Sequence, residues 1–106
     1  MLLQLVLWNL GDADVSIEEL RAHLLDTAVD QYDGLPGLLL SAWISDEASE
    51  RWGFVLLWSS RDAAEHPLPP ETRELVGKDP DVLELFDVEA TTSVAEELAR
   101  LGLAYR

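Results

Sequence analysis

Cysteine is absent from this 106-residue chain. That excludes disulfides, thiolate nucleophiles and Cys-ligated zinc or iron–sulfur centres, and it suits a reducing compartment. Cations are scarce as well: 7 Lys and Arg stand against 21 Asp and Glu, a formal charge of −14. A nucleic-acid partner needs a basic stripe to neutralise phosphates, and anionic lipid needs a polybasic patch. Neither is present, so no nucleic acid and no membrane is expected among the partners. No apolar run is long enough to span a bilayer. The opening MLLQLVLW has neither the basic region nor the small-residue cleavage site of a secretion signal, so the expected location is cytoplasmic. Two histidines, His23 and His66, lie far apart with no ligand spacing between them, and no metal site is expected. Asp12-Ala13-Asp14 and Asp79-Pro80-Asp81 lack the remaining ligands of a calcium loop. No glycine-rich loop opens a helix to cradle a phosphate, and neither histidine has a nucleophile and an orienting acid at hand.

What is present is enough apolar residue, 48%, for the single core of one domain spanning residues 1–106. The run Leu2–Asn9 has the length of a buried strand. Ser16 followed by Glu19 is a capping box, and Ile17, Leu20, Leu24, Ala28 and Tyr32 then recur at steps of three and four, one helical stripe. Asp33-Gly34-Leu35-Pro36-Gly37 stops that helix. Leu38–Ile44 and Trp52–Trp58 read as strands joined by a polar connection, hence an antiparallel hairpin. Ser59 or Ser60 caps a second helix that Pro67, Pro69 and Pro70 break into Arg61–His66 and Glu71–Val76. Val82–Glu89 is a last strand, and Ser93–Leu103 reads as a short C-terminal helix. The order is β-α-β-β-α-β, the α+β ferredoxin-like plan with a four-stranded antiparallel sheet.

In that plan two helices cover one face of the sheet, and the bare face should alternate to polar. Here both faces are apolar. Leu3, Leu5 and Leu7, with Leu40, Ala42, Ile44, Val55, Leu57, Leu83 and Leu85, form a nearly pure aliphatic set, expected under the helices. The other set has Gln4, Val6 and Trp8 on the first strand and Leu39, Ser41 and Trp43 on the second. Trp52, Phe54, Leu56 and Trp58 follow on the third, with Glu84 and Phe86 on the fourth. Left in water, that aromatic set would exceed the few hundred Å² (roughly) of apolar patch that monomers carry. The expectation is a homodimer through this sheet face. Gln4, Ser41 and Glu84 within it suggest a cavity for a small aromatic or apolar ligand, lined by Gln4, Val6, Trp8, Leu39, Ser41, Trp43, Phe54, Leu56, Trp58 and Phe86.

Several stretches carry a family resemblance over almost the whole chain. They are Leu2-Leu3-Gln4-Leu5, Pro36-Gly37-Leu38 with Ala42-Trp43 and Asp46-Glu47, and Gly53-Phe54-Val55-Leu56 with Ser60 and Ala63-Ala64. The strongest is Leu85-Phe86-Asp87-Val88-Glu89 ahead of a Ser/Thr stretch. The chain resembles the YdhR-type mono-oxygenases, within the dimeric α/β-barrel group that includes the antibiotic-biosynthesis mono-oxygenases. The resemblance implies a ferredoxin-like protomer, a homodimer whose sheets form a barrel, and a small-molecule pocket between sheet and helices. The proline break in the second helix departs from the group, whose helix runs uninterrupted over the pocket.

The activity implied is cofactor-independent mono-oxygenation of a small aromatic or quinone-like compound, with no cofactor. A non-catalytic binding or sensing protein of the same fold is the alternative, and haem handling a further one. Such oxygenation uses a substrate that loses a proton to become an electron-rich anion, as anthrones and hydroquinones do. The protein then supplies a hydrogen-bond donor for the oxyanion, a base and a dry cavity. The candidates are Asn9 at the end of the first strand, Glu84 as a base unless paired with Arg51 or Arg73, and His66. His66 follows Trp58 in an approximate Trp…Ala…His pattern of the group, and only an inward-facing His66 would serve haem. Asn9 reads equally as a turn residue, and His23 as a solvated one.

Overall fold

The computed structural model describes residues 1–92; the expected C-terminal helix Ser93–Leu103 lies outside them. Strand β1 (Leu2–Asn9) leads into α1 (Ile17–His23), a π-helical turn (Leu24–Ala28) and α2 (Val29–Tyr32), which run on as one helical rod. The hairpin β2 (Leu38–Asp46) and β3 (Arg51–Trp58) follows, then α3 (Arg61–Ala64), α4 (Glu71–Val76) and β4 (Val82–Asp87). The sheet order is β2-β3-β1-β4 with every neighbouring pair antiparallel, an arrangement compatible with the ferredoxin-like plan. Among the described residues no helix is long and apolar enough to cross a membrane.

Local chemistry sets most boundaries. Ser16 accepts from the Glu19 amide at 3.1 Å and its hydroxyl meets the Glu19 carboxylate at 3.2 Å, so the capping box forms. Ser60 caps α3 by accepting from the Ala63 amide. The prolines then end α3 two residues earlier than the sequence pattern suggested and leave α4 as a separate two-turn piece. The π-turn has its own logic. The stripe Leu20, Leu24, Ala28, Tyr32 advances by fours, and each such step drifts about 40° around an α-helix. One wider turn takes back that drift, and Leu20, Ala28 and Tyr32 all end up buried.

Which face the helices cover is the reverse of the expectation. Leu2, Val6, Trp8, Trp52, Phe54, Leu56 and Trp58 are core residues packed under the helices with Leu20 and Tyr32. The aliphatic set of Leu3, Leu5, Leu7, Leu40, Ala42, Ile44, Val55 and Leu57 forms the open face. The helical cover is short, α3 being four residues and α4 six, and large rings rising from the sheet fill the space that short helices leave.

Two further placements differ. Leu39 is the extra residue of a β-bulge between Leu38 and Leu40, and its side chain is exposed. In β4, Phe86 pairs with Leu3 and Glu84 with Leu5, which puts both on the open aliphatic face, while Leu83 and Leu85 share the face of Val6 and Gln4. A strand's two faces are interchangeable until its register is set, and β4 takes its register from β1.

Two glycines permit close approaches. At Gly37, in the left-handed region at φ 78°, a Cβ would collide with that of Ala63, so the start of β2 lies directly against α3. At Gly53 a Cβ would run into the Val6 carbonyl of β1. Because neither backbone can yield without breaking the central β1–β3 ladder, Gly53→Ala is expected to cost more than about 2 kcal/mol of stability. Urea unfolding measures this, and a near-neutral result would refute the close approach.

Candidate functional site

Beneath the helices an aromatic layer crosses three strands and the helical rod. Trp8 meets Phe54 edge-on at 5.8 Å between centroids, Phe54 meets Tyr32 at 5.3 Å, and Tyr32 meets Trp43 at 5.4 Å and nearly perpendicular. These are the favourable geometries for quadrupolar rings. Two indole donors are already spent. The Trp58 N–H donates to Gln4 Oε1 at 2.8 Å inside the core, and the Trp8 N–H donates to the Lys78 carbonyl at 3.0 Å. Gln4 is therefore a satisfied core amide that fixes Trp58. Of the expected lining, Gln4, Val6, Trp8, Phe54, Leu56 and Trp58 are brought together and buried, and Ser41 and Trp43 are half-buried beside them. Leu39 and Phe86 are not part of this layer.

The three candidate catalytic residues do not converge. Asn9 ends β1 as a turn residue: its side-chain oxygen accepts from the Gly11 amide, and its own amide donates to Asp81 at 2.7 Å. His66 is exposed just beyond α3, where its amide donates to Ala63. That outward position does not provide the inward histidine required for haem. Glu84 is exposed on the open face, and the arginines suggested as its partners are engaged elsewhere, Arg51 with Asp46 at 2.8 Å and Arg73 with Asp79 at 3.4 Å. Every Lys and Arg among the described residues is in an ion pair with an acid, so none stands ready for an anionic ligand.

Polar groups that the sequence pattern concealed lie in the covered layer. Among the described residues, the Tyr32 hydroxyl, Glu71 Oε2 and His23 Nε2 are shut off from solvent without a hydrogen-bond partner. Burial, with the Glu71 carboxyl acting in the same direction, holds the Tyr32 phenol above its ordinary pKa, so it stays a donor. Tyr32 resembled one more apolar position of the helical stripe, and Glu71 an ordinary first-turn acid. Only the packing of α4 against the rod shows them as a pair. His23, expected in solvent, is half-buried, with Thr27 at 3.0 Å from its Nδ1.

The open face has its own shallow depression of about 300 Å³, lined by Leu5, Leu7, Ile44, Ser45, Asp46 and Arg51. Its rim is locked: Asp46 accepts from Ser49 at 2.6 Å as well as from Arg51. Another shallow depression, lined by Arg73, Glu74, Gly77, Lys78 and Asp79, lies on the surface away from the aromatic layer. Among the described residues no group of three or more His, Asp or Glu is placed to hold a metal ion. The chain matches no protein-family model, and a search of curated proteins finds no match.

Two predictions follow from these contacts. Trp58→Phe strands Gln4 Oε1 in the core and is expected to cost at least about 1–3 kcal/mol. Adding Gln4→Leu should recover part of that loss, so a double-mutant cycle in urea should be clearly non-additive; strict additivity would show the bond to be energetically idle. Hydrogen bonds from Arg51 and Ser49 pull the Asp46 carboxyl down to about 2. Because the folded value lies below the ordinary one, the rim's contribution is complete above the usual carboxylate range and disappears as pH falls through about 2. Carboxyl NMR titration should give that low midpoint in the native protein and a return towards 3.8 in Arg51→Gln.

Proposed function

We propose that this protein is a homodimer of the dimeric α/β-barrel kind that binds a small aromatic or quinone-like compound between sheet and helices, and that it oxygenates this compound without a cofactor. The observation that carries the dimer is the open face. Its central strands β1 and β3 present only aliphatic side chains and Gly53 from Leu3 to Leu7 and from Gly53 to Leu57, and Glu84 on the edge strand is its one carboxylate outside the Asp46–Arg51 rim. At about 25 cal/mol per Å², covering such a face is a strong drive to associate. A second copy offers the same flat aliphatic surface, and two sheets packed face to face close into a barrel. The resemblance to YdhR-type mono-oxygenases supports the same assembly.

For the chemistry, the support is the dry aromatic layer with an uncommitted phenol donor and carboxyl acceptor at its edge. An anthrone illustrates the reaction. It loses a proton, its anion passes electrons to O2, one oxygen atom ends as the new carbonyl and the other leaves as water. The substrate supplies all the electrons, giving one quinone and one water per O2. The scattering of Asn9, His66 and Glu84 favours a second reading, in which the same layer binds such a compound and performs no reaction.

Light scattering during size exclusion should give twice the 11.8 kDa chain mass, and Val55→Arg should give a folded monomer. Because two acidic protomers repel, added salt should tighten the dimer. A wild-type monomer would overturn the assembly. Anthrone should consume O2 in equal molar amount with the protein present. Tryptophan quenching without O2 uptake would establish the binding reading, and neither response would remove both.

A further inference from the structure

The Tyr32 hydroxyl and the Glu71 carboxyl oxygen are both closed to solvent and both without a partner, and each faces the electrostatic influence of the other. Tyr32 is 2% exposed, its ring wedged against Trp43 and Phe54. Leaving a buried donor or acceptor unmatched costs about 1–3 kcal/mol, so such a pair persists in a core only at a loss. The residues come from distant parts of the chain, Tyr32 from the last turn of the helical rod and Glu71 from the first residue of α4.

We propose that these two groups form a hydroxyl-binding site: Tyr32 donates to the ligand's oxygen, and Glu71 accepts the hydrogen of the same hydroxyl. The ligand class follows from what remains unsatisfied. A ketone would occupy Tyr32 and leave Glu71 unmatched. An ammonium would occupy Glu71 and leave the phenolic hydrogen unmatched. An anion would meet a carboxyl in a protein whose described cations are all paired. A hydroxyl is donor and acceptor on one atom and satisfies both. Because Tyr32 sits edge-on to Trp43 and beside Phe54, the hydroxyl belongs on an aromatic ring, as in a phenol or the enol form of an anthrone. Entry requires α4 to shift. That helix is six residues long between the Pro67-Leu68-Pro69-Pro70 stretch and Gly77, and of its side chains Thr72 and Val76 are buried. The inference rests on the small-molecule reading above and adds the atoms that would recognise the ligand.

The test uses the full-length dimer with 1-naphthol and 1-methoxynaphthalene as probes, followed by tryptophan fluorescence and by the shift in Tm. Naphthol is expected to bind at least about tenfold more tightly than its methyl ether, since a site built around a hydroxyl rejects the analogue that cannot donate. Tyr32→Phe and Glu71→Gln should each reduce that preference severalfold or abolish it. Tyr32→Phe should keep cooperative unfolding near the wild-type Tm, because it deletes an unmatched oxygen from a ring that stays packed. Equal binding of the two probes by the wild type, or an unchanged preference in both variants, would overturn the hydroxyl site and leave the small-molecule reading standing. The pair would then be structural or bridged by a buried water only. Failure of both probes to bind the wild type would remove the site together with that reading.

Discussion

A sheet with helices on one side has to find a use for the other, and in this chain both sides are written in apolar residues. The rest of the architecture follows from that constraint. The covered side takes the bulky rings, because α3 and α4 are too short to meet the sheet with small side chains between them. The uncovered side is left flat and aliphatic, with its charges confined to the Asp46–Arg51 rim and to Glu84 on the edge strand. A chain of this length has little interior of its own, and a second apolar surface makes it dependent on something outside itself. The charge complements this arrangement: the helix exteriors and loops carry the acids, which keep all other surfaces from associating.

The order of the elements was legible because each is marked by local chemistry. Ser16 with Glu19, the Asp33–Gly37 break, Ser60 and the three prolines act within a few residues of the structure they determine. The choice of face was not legible, since alternation shows only that two sets exist. Trp8 and Leu7 are neighbours in sequence, and which of them goes under the helices depends on how the crossover packs. The same holds for Glu84 and Phe86, whose side of the sheet is settled by hydrogen bonds to a strand some eighty residues earlier.

The functional residues show the limit most clearly. Asn9, His66 and Glu84 stood out by type, and each proved to be engaged in a turn, exposed beyond a helix, or exposed on the open face. Tyr32 and Glu71 attracted no notice because their local context explains them completely, as a stripe position and as a first-turn acid. A buried polar group is recognised by the partner it lacks, and a missing partner is a property of three-dimensional packing alone.

The π-turn at Leu24–Ala28 gives the helical rod a sensitivity of its own. A wider turn of this sort amounts to one residue more than an α-helix would use over the same distance. The rod therefore works as a counted spacer: losing any single residue between Leu20 and Tyr32 would let the backbone relax to ordinary α-helix while swinging everything beyond it by about 100°. Point substitutions along this stretch can leave the phenol in place. A one-codon deletion would move it out of the aromatic layer without touching any residue that contacts it.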